Sequence, residues 1–209
     1  METARLVHVI DDDEAMRDSL AFVLGTARLE VRTYESARAF LEVLPGIKAG
    51  CVITDVRMPE MSGIDLLRRL DELKVELPVI VITGHGDVQL AVEAMKIGAM
   101  DFIEKPFDDE VLLAAVRKGL DRWERAAHAV AERSDYLERF GALSNRERDV
   151  LEGLVAGKAN KVIAFDLGIS PRTVEIYRAN VMTKMEAGSL SDLVRMALTA
   201  GVLKKDDAK

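Results

Sequence analysis

Polar side chains of three kinds, carboxylate, hydroxyl and ammonium, follow short apolar runs in the first half of this sequence. In chain order these residues are Asp11, Asp12, Asp13, Asp55, Thr83 and Lys105. Carboxylates gathered at one place repel one another unless a cation joins them. Because no Cys or His accompanies these oxygen ligands, Mg²⁺ is the ion that they would prefer. A carboxylate on Mg²⁺ beside a hydroxyl and an ammonium predicts a site that accepts a phosphoryl group, with the carboxylate as nucleophile.

The elements that must bring these residues together alternate between strand and helix patterns over residues 1–124. Strands are predicted at 6–10, 30–34, 51–54, 79–83 and around Phe102. A helical pattern follows each strand; the second is capped by Ser36, the fourth covers 87–97 and the fifth begins at Asp108. Five such units with short connections predict an α/β fold, in which helices cover both faces of a parallel sheet. The carboxyl ends of its strands would then meet in one crevice, which is where the polar residues stand.

The second half of the chain shows helical patterns alone. Ser144 with Glu147 three residues later forms a capping box, and three more short helices follow. Gly168, between the second and third of these, predicts a helix-turn-helix within a small all-α domain at 142–209. Residues 125–141 carry apolar side chains about 3.5 residues apart, and we expect a linker that continues the fifth helix.

Composition separates the two halves and excludes several classes of protein. Apolar residues make up 49% and charged residues 31% of the chain, which excludes a disordered or fibrous protein. No apolar run is long enough to span a membrane, no signal-peptide pattern is present, and the single cysteine, Cys51, excludes an internal disulfide. We therefore expect a cytoplasmic protein. Residues 1–124 carry a net charge of −9 and residues 142–209 a net charge of +2, which indicates two modules with different partners.

Four ordered motifs in the first module resemble the receiver domain of bacterial response regulators over residues 5–124. They are Val-Ile-Asp-Asp-Asp at 9–13, Thr-Asp-Val-Arg-Met-Pro at 54–59, Val-Ile-Thr-Gly at 81–84 and Glu-Lys-Pro-Phe at 104–107. The resemblance implies a flavodoxin-like, doubly wound parallel sheet of five strands in the order 2-1-3-4-5. It also implies a cis peptide bond between Lys105 and Pro106.

The same resemblance implies roles for the acidic residues. Asp55 would be the phosphorylated residue, and Asp11 and Asp12 would hold Mg²⁺ together with Asp55 and the main-chain carbonyl of Arg57. Asp13 stands apart from this set, because only two positions of such an acidic run usually serve the metal.

Further positions match the switch of receiver domains. Thr83 matches the hydroxyl that bonds the phosphoryl group together with Lys105, and Phe102 matches the aromatic residue that turns when Thr83 moves. This movement would change the face made by the fourth helix and fifth strand. There, Val92, Lys96 and Asp101 would form a self-complementary dimer contact.

The second module resembles the LuxR-type helix-turn-helix over about residues 142–203. Its third helix would bury Val174, Val181 and Met185 and expose a polar face towards DNA. The exposed residues are Arg172, Thr173, Glu175, Arg178, Asn180 and Lys184. Arg can pair with guanine, Asn with adenine and Glu with cytosine in the major groove. Contacts with phosphates are predicted for Lys161, Ser170, Thr173 and Lys184.

Together the two modules resemble the NarL/FixJ subgroup of response regulators. The resemblance implies an oxygen-sensing histidine kinase as phosphodonor, promoter DNA and RNA polymerase as further partners, a phosphorylated homodimer, and activation of nitrogen-fixation and microaerobic genes. Two alternatives stay open. A Mg²⁺-dependent phosphatase or phosphotransferase could use Asp55, although it would need an acid two residues later, where Arg57 stands. A constitutive DNA-binding regulator could carry a vestigial receiver, although Asp12, Asp55, Thr83 and Lys105 are all present.

Overall fold

The computed structural model describes residues 5–84 and 88–202 of the 209-residue chain. The chain divides into two compact units, Met1–Ala126 and Ala127–Lys209. No helix within the described residues is both long enough and apolar enough to cross a membrane.

The first unit is built on a five-stranded parallel sheet. The strands are β1 (Leu6–Ile10), β2 (Glu30–Tyr34), β3 (Cys51–Asp55), β4 (Val79–Thr83) and β5 (Asp101–Glu104). Their order in the sheet is β2-β1-β3-β4-β5, and every neighbouring pair is parallel. The predicted fold class and strand order are therefore confirmed.

A helix follows each strand of the sheet. These helices are α1 (Glu14–Thr26), α2 (Ala37–Val43), α3 (Gly63–Glu72), α4 (Val88–Ile97) and α5 (Asp109–Gly141), with a short 3₁₀ turn at Leu44–Gly46. The Ser36 hydroxyl accepts a hydrogen bond from the Ala39 amide, which confirms the predicted cap of α2. The predicted first residue of the fourth helix, Asp87, lies outside the described residues.

Both faces of the sheet pack against apolar cores. The central strands carry buried residues at successive positions, and successive side chains of a strand point to opposite sides. Val52 and Ile53, neighbours in β3, are both buried and belong to different core clusters. One cluster includes Ile10, Val52, Val81, Phe40 and Leu66. The other includes Val9, Ile53, Ile82, Leu24, Leu112 and Val116. This two-sided packing fixes the sheet and leaves the carboxyl ends of its strands to carry polar residues.

The second unit is helical throughout its described residues. After the end of α5 come α6 (Asn145–Val155), α7 (Asn160–Leu167), α8 (Pro171–Lys184) and α9 (Leu190–Ala200). Gly168 ends α7 with φ of 66°, in the left-handed region that glycine adopts without strain, and thereby turns the chain towards α8. The predicted helix-turn-helix domain with four short helices is confirmed.

Residues 125–141, which the sequence predicts to be a linker, lie within α5. The division between the two compact units also falls in this helix, between Ala126 and Ala127. Tyr136 is buried in the core of the second unit, and Phe140 packs against the same core. The end of α5 is therefore a structural part of the second unit.

Candidate functional site

The carboxyl ends of four strands place the candidate site of the first unit. Asp11 follows β1 directly, Asp55 is the last residue of β3, Thr83 is the last residue of β4, and Lys105 follows β5. The Lys105 amide donates a hydrogen bond of 2.7 Å to the Thr83 carbonyl, so the two strand ends are tied together. The Lys105–Pro106 peptide bond is cis, as the resemblance to receiver domains implied.

The Lys105 ammonium joins two carboxylates at this edge of the sheet. Its Nζ donates to Asp55 Oδ1 at 2.7 Å and to Asp11 Oδ2 at 3.2 Å. The side chains of Asp11, Asp55 and Lys105 are 4%, 11% and 20% exposed, so these charges meet in a largely buried pocket. Charge-assisted hydrogen bonds are stronger than neutral ones, and they hold the nucleophile candidate in one orientation.

Burial changes the titration of the groups around this ammonium. Burial raises the pKa of Asp11, and the charge of Asp55 adds to the rise, while the Asp13 amide and Lys105 oppose it. Burial alone would lower the pKa of Lys105, but Asp55 and Asp11 together raise it, so the lysine stays charged. A further cation beside Asp11 would favour its ionised form.

The second oxygen of Asp55 is held by the main chain. The Arg57 amide donates to Asp55 Oδ2 at 2.6 Å. The chain then turns into α3, whose first residue, Gly63, packs so closely on Asp55 that a Cβ there would overlap the Asp55 carbonyl. A glycine is therefore required where α3 begins, and the loop that follows Asp55 is fixed at both ends.

The acidic run after β1 divides into three different roles. Asp11 is buried and bonded to Lys105, whereas Asp12 is exposed. The Asp13 side chain accepts a hydrogen bond of 2.9 Å from the Ala15 amide and caps α1. The expectation that all three carboxylates gather is therefore wrong for Asp13, because the helix start needs an acceptor at this position.

The structure brings together two carboxylates and an ammonium. Within residues 5–84 and 88–202, no group of three or more His, Cys, Asp or Glu side chains is arranged to hold a metal ion. The donor set of Asp11, Asp55 and the exposed Asp12 nevertheless suits Mg²⁺, which prefers carboxylate oxygens and keeps several waters. Receiver domains generally use this ion for phosphorylation. The assignment of its ligands, including the Arg57 carbonyl, stays a prediction.

An open cavity of about 630 Å³ adjoins these carboxylates. Its lining includes Asp12, Arg57, Met58, Pro59, Asp65 and Arg68. Asp12 stands in its wall, and so does Arg57, whose amide bonds Asp55, so the cavity opens next to the carboxylate pocket.

The two predicted switch residues lie in neighbouring strands. Thr83 is 1% exposed, and Phe102 is partly buried against the core cluster on one face of the sheet. Val81 of β4 pairs with Phe102 of β5 in the sheet register, so Phe102 lies two residues from the end of β4. Because Val81 and Thr83 are two residues apart in β4, the side chains of Thr83 and Phe102 lie on the same face of the sheet, and their role as a switch stays a prediction.

The predicted dimer residues lie at the surface of α4 and β5. Val92 is 47% exposed, Lys96 is exposed, and Asp101 is half-buried. Val88, at 74%, and Met95, at 50%, extend this exposed apolar surface along α4. Val92 is therefore available to a partner.

The recognition helix of the second unit, α8, divides into a buried and an exposed side. Val174, Val181 and Met185 are fully buried, as the sequence predicts. Of the predicted DNA contacts on α8 and at its cap, Ser170, Arg172, Glu175 and Asn180 are exposed, and Thr173 and Arg178 are half-buried. Lys161 is exposed on α7.

The start of α8 is fixed by its cap. Ser170 Oγ accepts a hydrogen bond of 3.1 Å from the Thr173 amide, and the two hydroxyl oxygens lie 2.8 Å apart. Both hydroxyls are therefore held at the N-terminus of α8, where backbone amides favour an anion. Their predicted contact with phosphate agrees with this position.

Lys184 differs from the other predicted DNA contacts. Its Nζ donates to Glu147 Oε2 at 2.7 Å, and that carboxylate also closes the capping box with Ser144. This ammonium has an internal partner, but the side chain is 42% exposed, so its contact with phosphate stays a prediction.

Ile176 is a candidate contact that the sequence reasoning missed. It lies one turn after Arg172 and one turn before Asn180 on the polar side of α8, and it is 57% exposed. An apolar side chain in the major groove can contact a thymine methyl group. The sequence contains the signal for this contact: Ile176 stands four residues after Arg172 and four residues before Asn180, on the same side of the helix.

Both units match known protein families. Residues 7–117 match the family described as "Response regulator receiver domain", and residues 141–197 match "Bacterial regulatory proteins, luxR family". The chain is 59% identical over 202 residues to the transcriptional regulatory protein FixJ of Azorhizobium caulinodans. This alignment covers 97% of this chain and 96% of that protein.

Two solved structures are similar over nearly the whole chain. Full-length FixJ from B. japonicum has a TM-score of 0.61 at 53% identity, with 97% of this chain and 100% of that chain covered. The response regulator StyR has a TM-score of 0.82 at 38% identity, with 94% and 99% covered.

Proposed function

The chain belongs to the FixJ-type two-component response regulators, which join a receiver to a LuxR-type DNA-binding domain, and we propose that phosphorylation of Asp55 controls its binding to promoter DNA. It is a regulator and not a metabolic enzyme; its receiver implies a sensor kinase as partner and its second domain implies DNA binding. We further propose that it acts in the cytoplasm, forms a homodimer when phosphorylated, and activates transcription by RNA polymerase.

The observation that carries the proposal is the Lys105 ammonium between Asp11 and Asp55. In the transfer step an Asp55 oxygen forms a bond to phosphorus while the P–N bond of the kinase phosphohistidine breaks. The imidazole leaves with the electron pair of that bond. Lys105 then stabilises the phosphoryl oxygens, since Asp55 gives up its carboxylate charge when it becomes an acyl phosphate.

Mg²⁺ would be held by Asp11, Asp12, Asp55 and the Arg57 carbonyl, and would neutralise the phosphoryl oxygens during transfer. Asp11 is suited to this role because it follows β1 at the same edge of the sheet as Asp55 and shares the Lys105 ammonium with it. The Arg57 amide holds Asp55 Oδ2 at 2.6 Å and so orients the nucleophile.

The proposed switch begins at the new phosphoryl group. Thr83 would turn its hydroxyl towards the phosphoryl oxygens, and the ring of Phe102 would occupy the space that Thr83 leaves. This change at the end of β4 would alter the surface of α4 and β5. Val92 would then pack against its symmetry mate, with Lys96 of one chain opposite Asp101 of the other.

Dimerisation would present two copies of α8 to DNA about one helical turn apart. Arg172, Glu175, Arg178 and Asn180 would read base edges, and Lys161, Ser170 and Thr173 would contact phosphates. The resemblance to FixJ-type regulators supports nitrogen-fixation and microaerobic genes as targets and an oxygen-sensing histidine kinase as phosphodonor.

Acetyl phosphate with Mg²⁺ tests the first step. We expect mass spectrometry to find one phosphoryl group per wild-type chain, on Asp55, and none on Asp55→Asn, because an amide is not nucleophilic. Asp18→Asn, a change at an exposed residue of α1, is the matched control and should be phosphorylated like the wild type. A phosphoryl group on another aspartate would refute the site.

Two further results would favour the alternatives. Steady turnover of a free phosphomonoester would indicate a Mg²⁺-dependent phosphatase. Equal operator affinity with and without acetyl phosphate would indicate a constitutive DNA-binding regulator with a vestigial receiver.

A further inference from the structure

The outward side of α7 carries an apolar patch. Phe165 is 87% exposed, more than any other large apolar side chain of the described residues, and Val162 is 47% exposed. Residues three apart lie on the same side of a helix, so the two side chains form one surface, which we call the α7 patch. Ile163 and Ala164 occupy the opposite, buried side. The helix is therefore held by its own core, and the α7 patch contributes nothing to that packing.

An acidic groove lies beside the α7 patch. The groove measures about 290 Å³ between α6 and α7, and its carboxylates are Asp149, Glu152 and Asp166. Lys158 is the cation in its lining, and its Nζ lies 2.8 Å from Asp166. Arg146 lies 3.7 Å from Asp149, so Asp149 and Asp166 are both paired, whereas the exposed Glu152 has no cationic partner among the described residues. The groove therefore keeps a net negative charge, centred on Glu152, which would disfavour the phosphates of DNA.

Charge changes sign across α7. Lys161 and Asp166 are five residues apart, so at 3.6 residues per turn they fall on opposite sides of the stripe that contains Val162 and Phe165. The Lys161 side belongs to the proposed DNA face, and the Asp166 side borders the acidic groove. The α7 patch thus stands at the rim of the DNA face, where a protein bound to the same DNA could reach it.

We propose that the α7 patch and the acidic groove dock a segment of RNA polymerase that carries an apolar side chain flanked by Lys or Arg. This inference rests on the proposed function, in which the chain binds promoter DNA and activates transcription by RNA polymerase. Exposed apolar patches commonly mark protein interfaces, and the carboxylates select a basic partner. A second copy of this chain is disfavoured, since a two-fold contact through this surface would set carboxylates against carboxylates.

The test separates DNA binding from activation. A promoter is fitted with an operator that the phosphorylated wild-type chain selects from random DNA. Operator affinity is measured without polymerase, and transcript yield is measured with purified RNA polymerase holoenzyme. The variants are Phe165→Ala and Glu152→Lys. Phe22→Ala, which removes another exposed ring at 75% exposure in α1, is the matched control, and Phe165→Leu tests rescue by an apolar side chain.

We expect Phe165→Ala to keep operator affinity within about twofold and to lower activated transcription about tenfold, as loss of an aromatic interface anchor does. Glu152→Lys should lower transcription in the same way, Phe165→Leu should restore part of it, and Phe22→Ala should match the wild type. Unchanged transcription with Phe165→Ala would overturn the inference. An equal loss of operator affinity would assign the ring to the DNA face, and a change in solution mass would assign it to self-association. If the wild type itself fails to bind DNA after phosphorylation, the proposed function fails and this inference fails with it.

Discussion

Each unit of the molecule contains a lysine bonded to a carboxylate at 2.7 Å, and the two pairs differ in everything around that bond. In the receiver, the Lys105 ammonium is shared between Asp11 and Asp55, and burial raises the pKa of Asp11. In the DNA-binding unit, Lys184 meets Glu147, whose carboxylate also accepts from the Ser144 amide and hydroxyl. Lys184 and Ser144 together lower the pKa of Glu147 to about 2.

These two pairs show how a reactive charge cluster differs from a structural one. Glu147 has a full set of donors, so its charged form is stabilised and the capping box is closed. Asp11 and Asp55 place two negative charges around one ammonium in a buried pocket, and an additional cation or a phosphoryl group would change that balance. A polar group that is held in place but still lacks charge compensation is suited to chemistry.

The largest expected effect separates the two lysines. Lys105→Met should slow phosphorylation of Asp55 by acetyl phosphate about 100- to 1000-fold, because the phosphoryl oxygens lose a preorganised cation. Lys184→Met should leave this rate unchanged, since Lys184 bonds Glu147 in the other unit. Single-turnover phosphorylation followed by mass spectrometry measures both rates. A large fall in the phosphorylation rate with Lys184→Met would show that the two pairs do not differ in this way.

The exposed face of α8 provides a second contrast within the DNA-binding unit. The described residues offer the side chains of Arg178 and Asn180 no hydrogen-bond or ion-pair partner, so these groups are available to bases. Arg178→Ala and Asn180→Ala should each weaken operator binding by about 1–3 kcal/mol and relax preference at particular base pairs. Binding to a panel of single-base operator variants provides the measurement. If both substitutions leave base preference unchanged, residues other than Arg178 and Asn180 read the bases.

The capping pair should respond to acid in a defined direction. The folded pKa of Glu147, about 2, lies below its ordinary value of 4.5, so its stabilisation is complete above about pH 4.5 and is lost as pH falls towards 2. Glu147→Gln should therefore lower the free energy of unfolding at pH 7 by roughly 1–2 kcal/mol. Denaturant unfolding across this pH range should show the difference from wild type shrinking towards pH 2. A difference that stays constant with pH would show that the carboxylate charge contributes nothing.

The smallest expected effect concerns a phosphate contact. Lys161→Ala should weaken binding to all DNA sequences alike and reduce the slope of log affinity against log salt by about one. The slope is measured by repeating the binding assay at several salt concentrations. Lys118→Ala, at an exposed position of α5 in the receiver unit, is the control and should leave the slope unchanged.

The sequence predicted the fold well because strong local signals agreed with one another. Apolar β-branched strands ended in polar residues at each crevice position, and Ser36, Ser144 and Gly168 marked helix ends that the structure confirms. The resemblance to receiver domains then implied the strand order, which the structure confirms.

The site was harder to predict because side-chain partners depend on packing. The adjacent residues Asp11, Asp12 and Asp13 look alike in the sequence, yet one is buried, one is exposed and one caps α1. Lys184 follows the same polar pattern as its neighbours on α8, and only the position of α6 shows that it bonds Glu147.

The central claim, that phosphorylation of Asp55 drives dimerisation through α4 and β5, is tested most directly by solution mass with and without acetyl phosphate. We expect wild type at tens of micromolar to change from monomer to dimer. Asp55→Asn should stay monomeric because it cannot be phosphorylated, and Lys96→Glu should be phosphorylated but dimerise poorly because it would face Asp101 with like charge. If phosphorylated wild type remains monomeric at this concentration, the account of the switch is contradicted.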